Sequence, residues 1–492
     1  MSKIDFNWRE ERIVTQFCRS RFRVICRILI VATGTLTMLW VILMPDARAI
    51  PYFARKYETA CSTCHNNFPE LNDFGEAFKK NGWKFPKDEE TYVKQPPVML
   101  GAPAQRQVFP KAIYTGELPS TIPISFRYSG SFAYNNKQPL ALGFQPRTDL
   151  FAPNTFTIIA AGTFGDTLSF WVDDDLSTGG SGADGGLGDG YLKFNDLGHY
   201  IGLPKNTLNL RLGQFELDLP FSQARTINPT GYDVYDQTNV ASSPGTTNNP
   251  FNFGTTQRGF EIGGYPNNGN FNWSLSVLNG SNDSSPLRDS KDVYVRVSQK
   301  FNLERDPAVR NDVRAAGPAG PRDHTSIRVG GFYYYGNNAI NLDRTLYPTF
   351  GTIHEPFYRV GGDLRFKFRD LEVYGLLMRG RDRNLIPDEE TGLLLRGTPV
   401  TFTGGFAEAE YWIYPWLVAI MRYDGVNSPA DFQTGEISRF TTRNRFSPGL
   451  QFMIRGNIKT FFEFQRRWEQ PSGTEDAFFR PNSFLAGIDY AF

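Results

Sequence analysis

Cysteine is scarce in this chain. Four occur in 492 residues, and Cys18 and Cys26 fall in an N-terminal stretch read below as removable, leaving Cys61 and Cys64. A disulfide-dense scaffold is therefore excluded. Hydrophobic residues make up 40% of the chain and mean hydropathy is −0.39, which excludes a polytopic bundle of membrane helices. No charge of one sign dominates either. The formal net charge is +1, and residues 1–49 carry a net of +4, so the remainder stands at −3. Such a chain is no nucleic-acid binder. No paired-carboxylate, Ser-His-Asp or P-loop pattern stands out. Gly179-Gly180-Ser181-Gly182 and Gly185-Gly186 read as a loop, not a phosphate cradle, because no helix follows.

Aromatic residues are abundant. They form 15% of the chain, with 42 Phe and 22 Tyr, alongside 47 Gly and 32 Pro that imply many turns. The N-terminus reads as an export signal. Arg19, Arg21, Arg23 and Arg27 give a basic start, an apolar stretch follows from Ile28 to Met44, and Ala47-Arg48-Ala49 has the small-x-small form of a cleavage site. The competing reading is a retained anchor helix. The short apolar stretch and its closing triplet favour cleavage, with the signal over 1–49.

Cys61 and Cys64 stand three apart, with His65 directly after. Two cysteines in an exported chain can form a disulfide, and Cys-x-x-Cys can be a redox dithiol. The adjacent histidine argues against both, because Cys-x-x-Cys-His is the attachment signature of a c-type haem. At that spacing two thiols reach both haem vinyl groups within one turn of chain. The imidazole then falls on the iron as proximal ligand. Leu71, Phe74 and Phe78 share one helical face, with Pro69 in the first turn, Lys79 and Lys80 in the last, and Gly82 closing the helix. About 50 residues bury little without a cofactor, so that face is expected to pack on the haem. These residues make 50–105 a monohaem cytochrome domain. For the distal position Met99 is one candidate ligand, 34 residues beyond His65; the other reading makes it a linker residue. His199, His324 and His354 enter only if later segments fold back over the haem.

From about residue 120 the pattern changes to period two. Ile122, Ile124, Phe126, Tyr128 and Phe132 alternate with Pro123, Ser125, Arg127, Ser129 and Ser131; Leu208, Leu210 and Leu212 alternate with polar neighbours; Val293, Val295 and Val297 alternate with Tyr294, Arg296 and Ser298. A soluble sandwich gives the same local signal. Three features point instead to a transmembrane barrel over 106–492. Sixteen strands of roughly 9–12 residues are expected, the length a tilted membrane strand needs. They start near 121, 156, 167, 188, 207, 256, 271, 291, 325, 358, 371, 401, 416, 443, 458 and 482. Tight connections at Gly165-Asp166, Pro266 to Asn270, Arg369-Asp370, Tyr414-Pro415 and Gly456-Asn457 all follow even-numbered strands. Long ones, such as 137–155, 216–255, 336–356 and 425–442, follow odd-numbered strands. Segment 301–324 breaks the rule. Finally, Phe484, Ile488, Tyr490 and Phe492 share one face in a closing segment that resembles the insertion signal of outer-membrane barrels. The expected fold is an all-β outer-membrane barrel of about 16 antiparallel strands, with a small α-helical N-terminal c-type haem domain as its plug.

Phe53-Ala54-Arg55, Cys61-Ser62-Thr63-Cys64-His65, Phe68-Pro69-Glu70-Leu71-Asn72 and Phe74-Gly75-x-x-Phe78-Lys79-x-x-Gly82 together resemble the fused outer-membrane cytochrome–porins of iron-oxidising bacteria. The match covers about 35 residues; the rest is similar in architecture only. The resemblance implies an oxidoreductase in the outer membrane of a Gram-negative bacterium, in contact with its lipid. Extracellular Fe(II) would be the electron donor, and a periplasmic cytochrome c or blue copper protein the acceptor. It implies one covalent haem c, with Cys61 and Cys64 as thioether attachments and His65 as proximal ligand; it does not place the distal ligand. Asp173, Asp174 and Asp175, near the end of strand three, are expected at an outer loop mouth; they either attract Fe²⁺ there or simply form its solvated edge, the reading favoured for any one of them. The alternatives are a haem-plugged solute porin and an outward conduit to external acceptors.

Overall fold

The computed structural model describes residues 51–85, 93, 98–99, 107–108, 117–118, 122–136, 148–165, 167–178, 186–222, 224–236, 253–266, 269–280, 291–303, 325–341, 345, 348–383, 385–396, 399–427, 442–468 and 482–492. The chain divides into two units, Met1–Ile50 and Pro51–Phe492. The first, and with it the export-signal reading, lies outside the described residues, as do Gly179 to Gly185 and most of 301–324.

Sixteen antiparallel strands close into one barrel. In chain order they are β1 Ile124–Asn135, β2 Thr148–Phe164, β3 Leu168–Thr178, β4 Leu187–Phe194, β5 Asn209–Phe215, β6 Gln257–Gly264, β7 Phe271–Leu278 and β8 Asp292–Asn302. There follow β9 Ser326–Asn341, β10 Thr352–Phe368, β11 Leu371–Asp382, β12 Val400–Tyr414, β13 Leu417–Asn427, β14 Thr442–Arg455, β15 Ile458–Arg467 and β16 Ser483–Ala491. The seam is β16 on β1, in register from Ser483 opposite Asn135 to Ala491 opposite Arg127. Phe492 extends it: its N–H donates to the Phe126 carbonyl (2.8 Å), and its ring stacks on Phe126 at 5.4 Å. The barrel's ladder is closed on itself, which is what a sheet in lipid requires.

The alternation is inverted relative to a soluble sheet. Val295 and Val297 are 37% and 45% exposed, while Tyr294, Arg296 and Ser298 between them are buried. Tyr411, Tyr414 and Trp416 stand exposed around the β12–β13 turn, where an interfacial aromatic belt belongs. An outward apolar belt on a closed, even-stranded barrel with a polar interior is the construction of a bacterial outer-membrane barrel, and it places this chain in the outer membrane of a Gram-negative cell. Two strands start earlier than the alternation implies, β2 at Thr148 and β10 at Thr352. Neither start alternates: β2 opens with Thr148-Asp149-Leu150-Phe151-Ala152-Pro153 opposite the end of β1, and β10 opens opposite the largely polar end of β9, residues 337–341. The tight turns at Gly165, Arg369–Asp370 and Gly456–Asn457 lie at one rim, together with the start of β1 and the end of β16. By the usual asymmetry of these barrels that rim is periplasmic.

The connection after β5 does not stay outside. Its described residues 216–222, 224–236 and 253–256 turn into the lumen and carry a short helix, α3 (Asp233–Asp236). The Asn228 amide donates to Glu408 (2.7 Å), Thr230 Oγ1 donates to Glu463 (2.7 Å), and Asp233 pairs with Arg445 (3.1 Å). Phe221, Tyr232, Tyr235 and Phe253 of this loop pack on Tyr294, Phe332, Tyr334, Tyr374 and Phe406 from the wall. Lumen charges are matched between strands: Arg127 with Asp489 (2.8 Å) and Arg359 with Asp382 on neighbouring strands, and Arg296 on β8 with Asp363 on β10 (2.7 Å) across β9. Pairing is what makes buried charge tolerable.

Candidate functional site

The first described segment lies against the periplasmic rim. Helix α1 (Tyr52–Tyr57) docks on β1 by its backbone and its arginine. Tyr52 N–H donates to Ser125 Oγ (2.8 Å), and Arg55 donates to the carbonyls of Ile122 (3.2 Å) and Ile124 (2.7 Å). A 3₁₀ turn then spans Cys61–Thr63, so the two cysteines lie within one turn of chain, as attachment to a single group needs. His65 begins a two-stranded hairpin, His65–Asn67 against Glu70–Leu71. Its Nδ1 meets the Glu70 carbonyl at 3.2 Å, which leaves Nε2 as the ring nitrogen available to a ligand.

Helix α2 (Asp73–Lys80) begins four residues later than the placing of Pro69 in its first turn implies. Asn72 is its N-cap, the side-chain oxygen accepting from Gly75 N–H (2.8 Å), so Pro69 and Leu71 lie in the preceding hairpin and not in the first turn. The same Asn72 amide nitrogen donates to the carbonyls of Ser62 (3.2 Å) and Thr63 (3.1 Å), tying the cysteine turn to the helix. Gly75 passes so close that a β-carbon there would lie 2.1 Å from the Cys64 carbonyl oxygen, which explains glycine at this position. Asn72→Ala therefore removes a cap and a clamp together. We expect a loss of about 1–2 kcal/mol, read as a lower midpoint when unfolding is followed at Trp83.

Against this frame lies a cavity of about 620 Å³, in the range that takes up a cofactor-sized molecule. Cys61, Cys64 and His65 all line it. Its walls are aromatic: Phe53 stacks on Trp83 at 5.4 Å, and Trp83 on Trp171 of β3 at 4.6 Å. Burial pushes the Cys64 thiol up to about 12 and the Cys61 thiol in the same direction. A redox dithiol needs the opposite, a lowered and accessible thiol. Burial also pushes the His65 imidazole down to about 4, against the opposing pull of the Glu70 carbonyl. An imidazole kept neutral is the form that ligates a metal. Two thiols, one neutral imidazole and a largely apolar pocket of this size, with charged residues on the barrel side, suit a covalently held haem.

The other expected residues fall differently. Met99 forms a two-residue ladder with Glu117, but its side chain lies outside the described residues. His324 lies outside them too. His199 sits in the β4–β5 connection and His354 on β10; both are exposed, and neither lines the cavity. Among the described residues no second histidine and no methionine borders it. Asp173 and Asp175 are not at a loop mouth. Strand β3 runs on to Thr178, and both line the cavity wall, Asp173 accepting from the Trp171 indole (2.9 Å) and the Asp189 N–H (2.5 Å). Arg127, Trp171 and Arg225 are cavity residues that the motif does not indicate. For Arg127 a signal existed, since it shares the polar face of β1 with Ser125.

The joint between this segment and the barrel is polar. Glu70 pairs with Arg365 (3.0 Å), Asp73 with Lys300 (2.7 Å), and the Asn67 amide donates to Gln451 (3.1 Å). Cys61 lies against the β14–β15 turn, where a β-carbon on Gly456 would come within 3.3 Å of its Cβ.

No protein-family model and no curated protein matches the sequence. Among solved structures the chain is similar to the OmpF porin of Salmonella typhi in complex with daunomycin, at 9% identity and a TM-score of 0.48, over 75% of this chain and 97% of that one. It is also similar to an anion-selective porin from Comamonas acidovorans, at 13% identity and a TM-score of 0.47, over 75% of this chain and 98% of that one. A third is the outer-membrane channel DcaP of Acinetobacter baumannii, at 13% identity and a TM-score of 0.44, over 75% and 96%.

Proposed function

We propose that this porin-like barrel is an outer-membrane c-type cytochrome that moves electrons across the membrane, oxidising Fe(II) outside the cell and passing the electron to a periplasmic cytochrome c or blue copper protein. The observation that carries this reading is the single cavity on which Cys61, Cys64 and His65 converge. Cys61 and Cys64 would hold the haem by thioether bonds, and His65 Nε2 would ligate its iron. Bound there, the haem supplies a one-electron couple. The chain's own residues do the rest. The Glu70 carbonyl fixes the imidazole, Phe68 packs edge-on to it (5.3 Å), Phe53, Trp83 and Trp171 give the cavity an apolar wall, and Arg127 on that wall is neutralised by Asp489.

The position supports the direction of delivery. Cys61 lies at the periplasmic rim, within reach of a soluble partner. Toward the other rim the lumen is packed. Rings follow one another from Phe221 to Phe406 (5.5 Å), Tyr232 to Phe406 (3.8 Å), Tyr235 to Phe253 (5.7 Å) and Tyr334 to Phe357 (5.7 Å). On mixing oxidised protein with excess Fe(II), the absorption of the reduced haem is expected to appear. A haem that stays oxidised over minutes removes this function. An outward conduit predicts the reverse pattern, with reduced protein reoxidised by an external ferric chelate.

A solute porin with a haem plug is the second reading, favoured by the barrel itself. It predicts steady ion conductance in planar bilayers. The inward loop and the segment docked at the rim lead us to expect conductance well below that of an open barrel of this strand number, and a full-sized open state would favour the porin.

A further inference from the structure

The geometry points to a second binding site, for a small inorganic oxyanion such as phosphate or sulfate. A separate cavity of about 210 Å³ lies in the lumen between α2, the inward loop and the wall from β4 to β11. It is smaller than pockets for drug-sized ligands, and its lining carries ten cationic side chains against six carboxylates. Most of those cations are matched, as Arg211 is with Glu261 (2.7 Å) and Arg365 with Glu70 (3.0 Å). Asp363 neutralises Arg296, and Glu372 neutralises Lys367, from outside the lining.

Four cations are not matched. Lys79 and Lys80 on α2, Lys193 on β4 and Arg328 on β9 have no carboxylate oxygen within 4.0 Å among the described residues. Lys193 Nζ donates to the Lys80 carbonyl (2.7 Å), so a backbone bond holds the two lysines side by side. Lysines in the last turn of a helix ordinarily serve its dipole in open water. Here they face Lys193 and Arg328 inside a cavity, where clustered like charges are costly without a counter-ion. Burial, and then Arg328, push Lys80 down to about 8, although Glu76 and Asp218 of the same lining pull the other way without coming within ion-pair distance of it. A metal cation is repelled by this lining, and a neutral solute leaves the charge unanswered. An oxyanion accepts from ammonium and guanidinium at once, and Ser298 and Ser326 on the same wall add hydroxyl donors.

The cavity shares Leu71, Glu216 and Arg225 with the cavity beside the cysteines, so two sources of anionic groups exist: the haem's own carboxylates and a free ion. The free ion is the inference, and it does not depend on the electron-transfer reading. The test is calorimetric titration of the full-length holoprotein in neutral detergent with inorganic phosphate, at neutral pH and low chloride. One saturable site is expected. Lys80→Gln and Arg328→Gln should each weaken it about tenfold or more, while the exposed Lys205→Gln leaves it unchanged, all variants keeping the wild-type β-sheet spectrum. Absence of saturation at millimolar phosphate overturns the site. Binding untouched by both substitutions also overturns it, as an adventitious ion only. Binding confined to a haem-free Cys61→Ala, Cys64→Ala chain overturns it too, because the haem carboxylates then occupy the cavity. The haem absorption band, read on the same samples, reports separately whether haem is attached.

Discussion

Replacing Cys61 and Cys64 together with alanine is expected to abolish covalent haem. The denatured protein would then give no haem-stained band, while the barrel still inserts and folds. The two thiols sit in one 3₁₀ turn, and both line the same cavity, so no other side chain can replace the attachment. The barrel is held by its own closed ladder, which the substitution does not touch. The rim segment loses most, since its aromatic residues face a cavity of about 620 Å³ and an apolar void of that size costs contacts on every side. Heightened protease cleavage within residues 51–85 would report that loosening. A double variant that keeps a covalent haem stain would contradict the assignment of both cysteines.

The second large effect is expected at Arg422. This side chain is fully buried and joins the inward loop to the wall. It donates to the Thr230 carbonyl (2.8 Å) and hydroxyl (2.6 Å), and lies 3.0 Å from Asp424 and 3.8 Å from Glu463. Arg422→Ala leaves two buried carboxylates short of a counter-charge. Breaking such a network from one side costs about 3–5 kcal/mol. Asp424 keeps Arg445 at 3.1 Å, which places the expectation toward the lower end of that range. The midpoint of urea unfolding should fall accordingly, and bilayer conductance should rise as the loop loses its anchor. A loss below about 1 kcal/mol would mean that water already screens these charges.

Which parts of this were legible beforehand follows from how local each signal is. The cysteine turn and its histidine are contiguous, and they form one structural unit. The alternation of Val293 to Ser298 is a local property of one strand, and a closed barrel keeps it because lipid lies outside and polar chain inside. The tight turns carry glycine or a turn residue in sequence and mark one rim. The starts of β2 and β10 were not legible, because residues 148–153 and 352–356 do not alternate between apolar and polar in sequence. Nor was the path of the loop after β5. What draws it inward is Glu408, Arg422, Arg445 and Glu463, contributed by strands about 180 to 230 residues away in sequence. Trp171 and Asp173 became cavity residues for the same reason. Their side chains are ordinary inward positions of a strand until α2 and Trp83 are brought against them.

The central claim is that one chain carries an electron from outside the membrane to a partner inside it. Liposomes bearing the protein, with an oxidised soluble c-type cytochrome trapped within and Fe(II) added outside, test it most directly. Reduction of the trapped cytochrome within minutes is predicted for the wild type, and none for the Cys61→Ala, Cys64→Ala chain. Equal reduction by both would mean that Fe(II) leaks through the barrel, and no reduction by either would mean that the protein is not an electron route; each result contradicts the account.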